Sequence, residues 1–283
     1  MRSVIVAGRT SASPFSERLI KNTSAAVRAL RCVRLILHVV RAVVIAGALF
    51  PFLDNERRAR HVRRWSRELL AILAVRVKTS GHPPRATSVP AMIVANHVSW
   101  LDIFAINTVH AMRFIAKAEI RRWPVIGWVC EKGGTLFIDR SRRRHLAQVN
   151  ESVAAAMERG DIFAVFPEGV ITTGDRVLPF HASLLQPALA CGAELYPVAI
   201  RYTRADGSLC NEADYEGAKS LLDSFLLILT QPVIHVHLQF LPPLAGKGAH
   251  RRDIAQKAAS VIARALNVPA PRRRTEKSSR PRA

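Results

Sequence analysis

The stretch Ala91-Met-Ile-Val-Ala-Asn-His97-Val-Ser-Trp-Leu-Asp102 decides the fold of this chain, because it joins a buried strand to a helix. The apolar run 91–95 is typical of a strand with both faces covered. Two residues five apart lie on different faces of one helix. His97 and Asp102 can therefore meet only if His97 lies on the turn and Asp102 lies one turn inside the helix, reaching back. That arrangement orients an imidazole with a carboxylate, as a general base requires.

The His-Asp spacing is weak evidence by itself, and a histidine that merely caps the helix is the competing interpretation. Three further segments favour the functional one. They are Gly133-Gly-Thr-Leu-Phe-Ile-Asp-Arg140, Phe166-Pro-Glu-Gly169 and Tyr196-Pro-Val-Ala-Ile200. Each of the three follows or contains an apolar run that predicts a strand.

In this order and at these intervals, the four segments resemble the four blocks of the glycerophospholipid acyltransferase superfamily. The likeness is to the bacterial 1-acyl-sn-glycerol-3-phosphate (lysophosphatidic acid) acyltransferase type and covers about residues 57–240. The segments 116–127 and 177–185 are also similar to bacterial members. The resemblance implies transfer of a fatty acyl group from acyl-CoA or acyl carrier protein to a lysolipid hydroxyl. The most direct acceptor is 1-acylglycerol-3-phosphate, which would give phosphatidic acid. No cofactor and no metal ion is expected.

The resemblance also assigns substrate-binding residues. Arg140 ends a strand and would bind the phosphate or other anionic head group of the acceptor, because a guanidinium can hold such a group through two bonds. Without the resemblance it would be a solvated charge. Glu168 and Gly169 match the acceptor-binding block. Lys117 would contact a phosphate of the donor or head group, and is otherwise a surface lysine.

One segment departs from the family pattern. Many members follow Pro-Glu-Gly with Thr-Arg-Ser, whereas this chain has Val170-Ile-Thr-Thr-Gly-Asp175. Variants with Thr or Ser and Gly-Asp at these places resemble the branch that includes lyso-ornithine lipid O-acyltransferases. The acceptor therefore has two candidates.

The chemistry of acyl transfer gives His97 and Asp102 separate roles. A hydroxyl must lose its proton as it attacks the thioester, and His97 can take that proton because an imidazole is largely neutral at working pH. Asp102 would hold the tautomer and stabilise the imidazolium. Gly-x-Ser-x-Gly is absent from the sequence, so a direct transfer is favoured over an acylated serine. A thioesterase would share the base, and a peripheral lipid-binding protein would need no such pair.

The charge is concentrated at the two ends of the chain. Residues 1–80 hold 16 Lys/Arg and 4 Asp/Glu, residues 246–283 hold 11 and 2, and residues 81–245 hold 15 of each. A nucleic-acid enzyme would more often charge its active groove, so no nucleic acid is expected. Basic ends on a neutral core favour an anionic membrane surface, at the cytoplasmic face of the inner (plasma) membrane. Four separate cysteines fit a reducing compartment.

The predicted organisation has three parts. Residues 1–80 form a membrane-docking helical region, residues 81–245 the acyltransferase core, and residues 246–283 a helix with a basic disordered tail. The fold class is α/β, with a mixed sheet flanked by helices and an N-terminal membrane-associated helical hairpin. Its helices are predicted over 24–50 and 56–77. The first has arginines on one broad face and is typical of an interfacial helix, although a soluble hairpin packed on the core is the alternative.

Overall fold

The alternation of apolar runs with helical segments produces a central sheet covered by helices. The structure is a computed structural model that describes residues 22–84, 89–138, 143–214 and 220–271. Its strands are β1 (Val75–Ser80), β2 (Ala91–Ala95), β3 (Arg113–Lys117), β4 (Leu136–Ile138), β5 (Phe163–Val165), β6 (Glu194–Thr203), β7 (Ile234–Phe240) and β8 (Leu244–Ala245). Its helices are α1 (Ala25–Ala48), α2 (Asn55–Ile72), α3 (Leu101–Val109), α4 (Ile126–Lys132), α5 (Arg143–Glu158), α6 (Gln186–Ala190), α7 (Leu221–Thr230) and α8 (Arg251–Leu266).

The strand directions gather the carboxyl ends of five strands at one edge. The order across the sheet is β1-β7-β6-β2-β5-β3-β4, and β8 pairs with β6. The strands β6, β2, β5, β3 and β4 run parallel, whereas β7 is antiparallel to β6. In sheets of this kind, ligands bind outside the carboxyl ends of the parallel strands. The sheet is mixed and flanked by helices, which confirms the predicted α/β class.

Two apolar clusters, one on each face, hold the helices to the sheet. One cluster joins β2, β6 and β7 to α2, α3 and α7. The other joins β2, β5 and β6 to α5, α6 and α8. The all-apolar strand β2 contributes to both clusters, with Ile93 on one side and Met92 and Val94 on the other, because it is buried on both faces.

The second helix is shorter than its prediction. It ends at Ile72, Ala74 takes a left-handed conformation with φ of 55°, and β1 begins at Val75. The predicted helix to Val77 is therefore wrong. The alternation Val75-Arg-Val-Lys-Thr suits a half-buried edge strand, and parallel pairing with β7 selects it over a further helical turn.

The N-terminal hairpin consists of α1 and α2. Ser24 and Asp54 cap the two helices by accepting backbone N–H groups of Val27 and Arg57. Asp54 follows Pro51, which helps to end the first helix. The hairpin is held by the His38 and Trp65 rings, which stack at 4.8 Å and form hydrogen bonds with each other's backbone carbonyls.

The outer face of α1 is apolar. Six of its large side chains leave 54–64% of their surface exposed: Leu30, Val33, Ile36, Leu37, Val40 and Val44. Its inner face includes Arg31, whose guanidinium donates to carbonyls of Leu229 and Gln231 at the end of α7. Across the described residues, no helix is long and apolar enough to cross a bilayer.

Candidate active site

Asn96 anchors the turn that follows β2. Its side-chain amide donates to the carbonyl of Ile200 at 3.0 Å, and its Oδ1 accepts the N–H of Ile200 at 2.8 Å. Ile200 lies in β6, the parallel neighbour of β2, so the two bonds extend the strand ladder past its last residue. A buried amide satisfied in this way is rigid. His97, the next residue, therefore leaves the sheet at a fixed position.

His97 and Asp102 are in direct contact. His97 Nδ1 lies 2.7 Å from Asp102 Oδ2, and the N–H groups of Val98 and Ser99 donate to the same oxygen at 2.8 and 3.0 Å. Asp102 is fully buried and lies in the first turn of α3, not one turn inside it. The helix N-terminus favours an ionised carboxylate there. With Nδ1 bound to the carboxylate, Nε2 is the nitrogen that can take a proton.

A further donor to Asp102 comes from β6, and the sequence analysis missed it. The hydroxyl of Tyr202 donates to Asp102 Oδ1 at 2.8 Å, and its ring is buried. Burial, followed by the charge of Asp102, raises the pKa of Tyr202 well above its ordinary value, so the hydroxyl remains a donor. The usable signal was a tyrosine at an inward strand position, where a buried hydroxyl needs a partner.

Phe166 fixes the plane of the His97 ring. The two rings stack with centroids 4.1 Å apart and planes 13° apart, and Phe166 in turn stacks on Phe114 at 6.2 Å. Phe166 begins the Pro-Glu-Gly turn after β5, which the bond from Gly169 N–H to its carbonyl closes at 3.1 Å. The first and third sequence blocks therefore meet through an aromatic contact.

Glu168 is buried against the His97 turn. Its Oε1 accepts the N–H of His97 at 3.3 Å, while Oε2 is buried with no hydrogen-bond partner among the described residues. Desolvation raises the pKa of Glu168 to about 8, and the nearby Asp102 adds to the rise, although the backbone N–H groups of His97 and Leu178 oppose it. Glu168 is therefore largely protonated at neutral pH, which lets Oε2 donate as well as accept.

The segment that departs from the family pattern folds against the same turn. Thr172 is buried and its N–H donates to the carbonyl of His97 at 2.9 Å. Gly174 takes a φ of 81°, and a Cβ there would lie 3.3 Å from a methyl group of Val98. The hydroxyl of Thr173 donates to the exposed carboxylate of Asp175. Residues 170–175 therefore support the His97 turn, although they lie more than 70 residues away from it in the sequence.

Of the other predicted site residues, Gly169 and Lys117 lie at or near the same sheet edge. Gly169 has a φ of 76°, a conformation that glycine adopts readily, and it follows the end of β5 by four residues. Lys117 is the exposed last residue of β3. Arg140 lies outside the described residues, two positions after the end of β4. Parallel pairing of β5, β3 and β4 brings these strand ends together.

An apolar cavity of about 330 Å³ lies between α1, α2, α3, β3 and α4. Its wall includes Ala46, Trp65, Phe104, Met112, Phe114 and Val129. Phe114 stacks on Phe166, which stacks on His97, so two aromatic rings separate the cavity from the histidine. Apolar walls of this kind favour a hydrocarbon ligand.

Comparison with known proteins places this geometry in context. A family model described as Acyltransferase matches residues 75–201. A lyso-ornithine lipid O-acyltransferase of Pseudomonas aeruginosa is 38% identical over 209 residues, covering 74% of this chain and 79% of that protein. A 1-acyl-sn-glycerol-3-phosphate acyltransferase of Neisseria meningitidis is 39% identical over 160 residues, covering 56% and 62%. The fold is similar to that of the crystal structure of PlsC, the 1-acyl-sn-glycerophosphate acyltransferase from Thermotoga maritima, with a TM-score of 0.60, 24% identity and coverage of 85% of this chain and 96% of that one.

Proposed function

The chain belongs to the Acyltransferase family, and we propose that His97 and Asp102 transfer a fatty acyl group from a thioester to the hydroxyl of a lysolipid. The protein is an O-acyltransferase that acts on lysolipids. The single observation that carries the assignment of residues is the 2.7 Å contact between His97 Nδ1 and Asp102 Oδ2. It leaves Nε2 as the proton acceptor.

The mechanism is a direct displacement. Nε2 of His97 takes the proton of the acceptor hydroxyl as that oxygen attacks the thioester carbonyl carbon. Asp102 holds the Nδ1–H tautomer and stabilises the imidazolium. As the tetrahedral intermediate collapses, the C–S bond breaks and the imidazolium returns its proton to the thiolate. The lysolipid leaves as an ester and the donor leaves as a free thiol.

No acylated serine is needed at this turn. Ser99 is the hydroxyl nearest to His97 in sequence, but it is fully buried and its Oγ accepts the N–H of Leu101 at 3.3 Å. Its Oγ is therefore engaged in the helix start. We therefore expect the transfer to take place in a ternary complex of donor, acceptor and enzyme.

The apolar cavity suits the acyl chain. The cavity lies two stacked rings, Phe114 and Phe166, away from His97, and we assign it to the apolar tail of an acyl substrate. The donor, either acyl-CoA or acyl carrier protein, carries the thioester from water. Lys117, exposed at the end of β3, is available to bind a donor phosphate.

The first candidate acceptor is 1-acylglycerol-3-phosphate. Arg140 would bind its phosphate, and Glu168 and Gly169 would contact the rest of the acceptor. Of the two carboxyl oxygens of Glu168, only Oε2 lacks a hydrogen-bond partner among the described residues, so the acceptor contact is assigned to that atom. Acylation would give phosphatidic acid.

Lyso-ornithine lipid is the second candidate, and a specific observation supports it. The loop that contacts His97 through Thr172 has Val170-Ile-Thr172 where many members have Thr-Arg-Ser, so Ile171 stands in place of the arginine. Loss of that arginine removes a contact that would bind a phosphate and that an ornithine head group would not need. The Pseudomonas relative that matches along 74% of this chain bears the name of that activity.

The acceptor is tested with purified protein, labelled acyl-CoA or acyl carrier protein, and each lysolipid in turn. Arg140→Ala should lower kcat/KM for 1-acylglycerol-3-phosphate about 10- to 100-fold, because one charge-assisted contact is lost. The donor KM should stay the same, and Arg142→Ala serves as the matched control. A larger turnover on lyso-ornithine lipid, unaffected by Arg140→Ala, would select the second candidate. Release of free fatty acid without acceptor would indicate a thioesterase, and lipid binding without turnover a non-catalytic protein.

The N-terminal hairpin would dock the enzyme on the membrane. The apolar outer face of α1 lies beside exposed Arg28 and Arg34, and residues 1–80 carry 16 Lys/Arg against 4 Asp/Glu. An apolar face with flanking cations suits a helix that lies in the headgroup region of an anionic bilayer. This arrangement would put the site between a lipid acceptor and a water-borne donor, at the cytoplasmic face of the inner membrane.

A further inference from the structure

The two oxygens of Asp102 are held in different ways. Oδ2 accepts three hydrogen bonds, from His97 Nδ1 and from the N–H groups of Val98 and Ser99. Within the described ranges, the sole hydrogen bond to Oδ1 comes from the hydroxyl of Tyr202 at 2.8 Å. Asp102 is fully buried, so no solvent replaces a lost donor. The contact at Oδ1 therefore comes from a side chain of another strand.

We propose that Tyr202 is a positioning residue for acyl transfer, which acts through Asp102 to keep His97 in the proton-accepting tautomer. The inference rests on the proposed role of His97 as base. If Asp102 were protonated, its hydroxyl would donate to Nδ1 and the imidazole proton would move to Nε2. The nitrogen that faces the substrate would then carry a proton and could not accept one. A donor to Oδ1 opposes that change because it stabilises the carboxylate form.

Tyr202 shares this task with backbone groups, and it is the donor that a side-chain substitution can remove. The other donors to Asp102, apart from His97, are backbone N–H groups. Among the described residues, Glu168 interacts electrostatically with Asp102 and Cys210 with Tyr202, and burial raises the pKa values of Glu168 and Cys210 to about 8 and about 12. Both are largely uncharged at neutral pH and stabilise no charge on Asp102. Tyr202 itself lies in β6, where Cys210 N–H donates to its carbonyl at 3.1 Å, and its ring is buried.

The test compares Tyr202→Phe with the wild type across pH. Loss of one hydrogen bond to a buried carboxylate should move the acid limb of the kcat/KM profile upward by about one pH unit. Activity near pH 6 should then fall about tenfold, while the plateau at higher pH and both KM values change little. Tyr196→Phe is the matched control, because Tyr196 lies on the same strand and donates instead to Glu194 at 2.8 Å.

Two further measurements separate positioning from loss of fold and from failure of the proposed function. In the Asp102→Asn background, Tyr202→Phe should have no additional effect on the pH profile, since both act on one carboxylate. Nitrogen NMR of His97 in the folded protein reports the tautomer without any acyl transfer, and the Nδ1–H form should decrease in Tyr202→Phe as pH falls. An unchanged acid limb and an unchanged tautomer would overturn the inference, even if His97 proves essential. If the wild-type protein transfers no acyl group in any assay, but NMR still shows the tautomer shift in Tyr202→Phe, the proposed function is wrong and the inference about Tyr202 stands.

Discussion

The His97 turn and helix α1 satisfy their side chains in opposite ways. At the turn, polar groups are buried and nearly every one has a partner: Asn96 binds β6, and Asp102 accepts four hydrogen bonds. On α1, large apolar side chains such as Ile36 and Leu37 are more than half exposed. Burying unpaired polar groups and exposing contiguous apolar surface are both unfavourable in water. The polar groups of the His97 turn are paired within the protein. The apolar side chains of α1 are covered only if another apolar surface binds to them.

The difference between the two regions assigns catalysis to the His97 turn and membrane binding to α1. A network that is fully bonded within the protein holds a base rigidly, which proton transfer requires. An unpartnered apolar face holds nothing by itself and gains stability only when lipid covers it. Substitutions at the turn should therefore alter chemistry without altering membrane binding, and substitutions on α1 should do the reverse.

The largest expected effect of a test substitution at the turn comes from Asp102→Asn. An amide in place of the carboxylate allows the wrong imidazole tautomer and leaves two buried backbone donors with a weaker acceptor, so kcat should fall by about two to four orders of magnitude. The measurement is acyl transfer in detergent, with vesicle binding as the control that should not change. The matched variant is Asp161→Asn, which alters an aspartate that pairs with Arg113 and should leave kcat near that of the wild type.

Chelation extends the same test. The described residues contain no group of three or more His, Cys, Asp or Glu side chains that could hold a metal ion. Wild-type activity is expected to persist in excess chelator. Activity that disappears on chelation and returns with a divalent cation would contradict the proposed role of Asp102 as a partner of His97 alone.

A smaller effect is expected on α1. Leu30→Ser combined with Leu37→Ser removes two exposed leucines, and burial of each in lipid stabilises binding by about 1.5–3 kcal/mol. Partitioning onto anionic vesicles should fall about 100-fold or more, with activity in detergent unchanged. The control is Leu209→Ser, which replaces an exposed leucine that lies outside the N-terminal hairpin. Salt at about 1 M should release little of the wild type, and complete release would mean that attachment is purely electrostatic.

These point substitutions are preferable to removal of residues 1–80. That segment contains β1, which pairs with β7 along six positions, and it contains Leu69, Leu70 and Leu73 of the buried cluster. A truncation would open the sheet edge and the core together. Its effect on vesicle binding could not be separated from loss of fold.

The next effect is on stability and concerns Glu168 and pH. Its pKa is about 8 in the folded protein against an ordinary value of 4.5. Between those values the folded state retains a proton that the unfolded chain has released, so the free energy of unfolding falls as pH rises from about 4.5 to 8. Glu168→Gln cannot titrate and should lack this decline, a difference on the order of 3 kcal/mol across the window.

Urea unfolding at about pH 5 and pH 8.5 measures this difference. The matched control is Glu119→Gln, whose side chain is exposed, and it should follow the wild type. Parallel behaviour of Glu168→Gln and the wild type would mean that Glu168 is ionised in the folded protein at neutral pH.

The sequence predicted the parts of the site that are local in the chain. His97 and Asp102 lie within one strand-turn-helix, so their spacing, together with the three other segments of the family pattern, predicted the contact. Spacing along the chain could not predict the partners that come from distant segments. Tyr202, for example, follows Asp102 by 100 residues and reaches it only through the pairing of the strands. Strand β1 was missed because Val75 and Val77 continue an apolar helix pattern, and only pairing with β7 distinguishes the two states.

The central claim is tested most directly by acyl transfer with His97→Ala, measured both on lysolipid vesicles and in detergent. General base catalysis predicts a loss of about two to four orders of magnitude in both assays, with vesicle binding equal to that of the wild type. His82→Ala, at an exposed histidine, should retain full activity. Near-normal turnover by His97→Ala in detergent would contradict the account, because the proton of the acceptor would then be taken by another group.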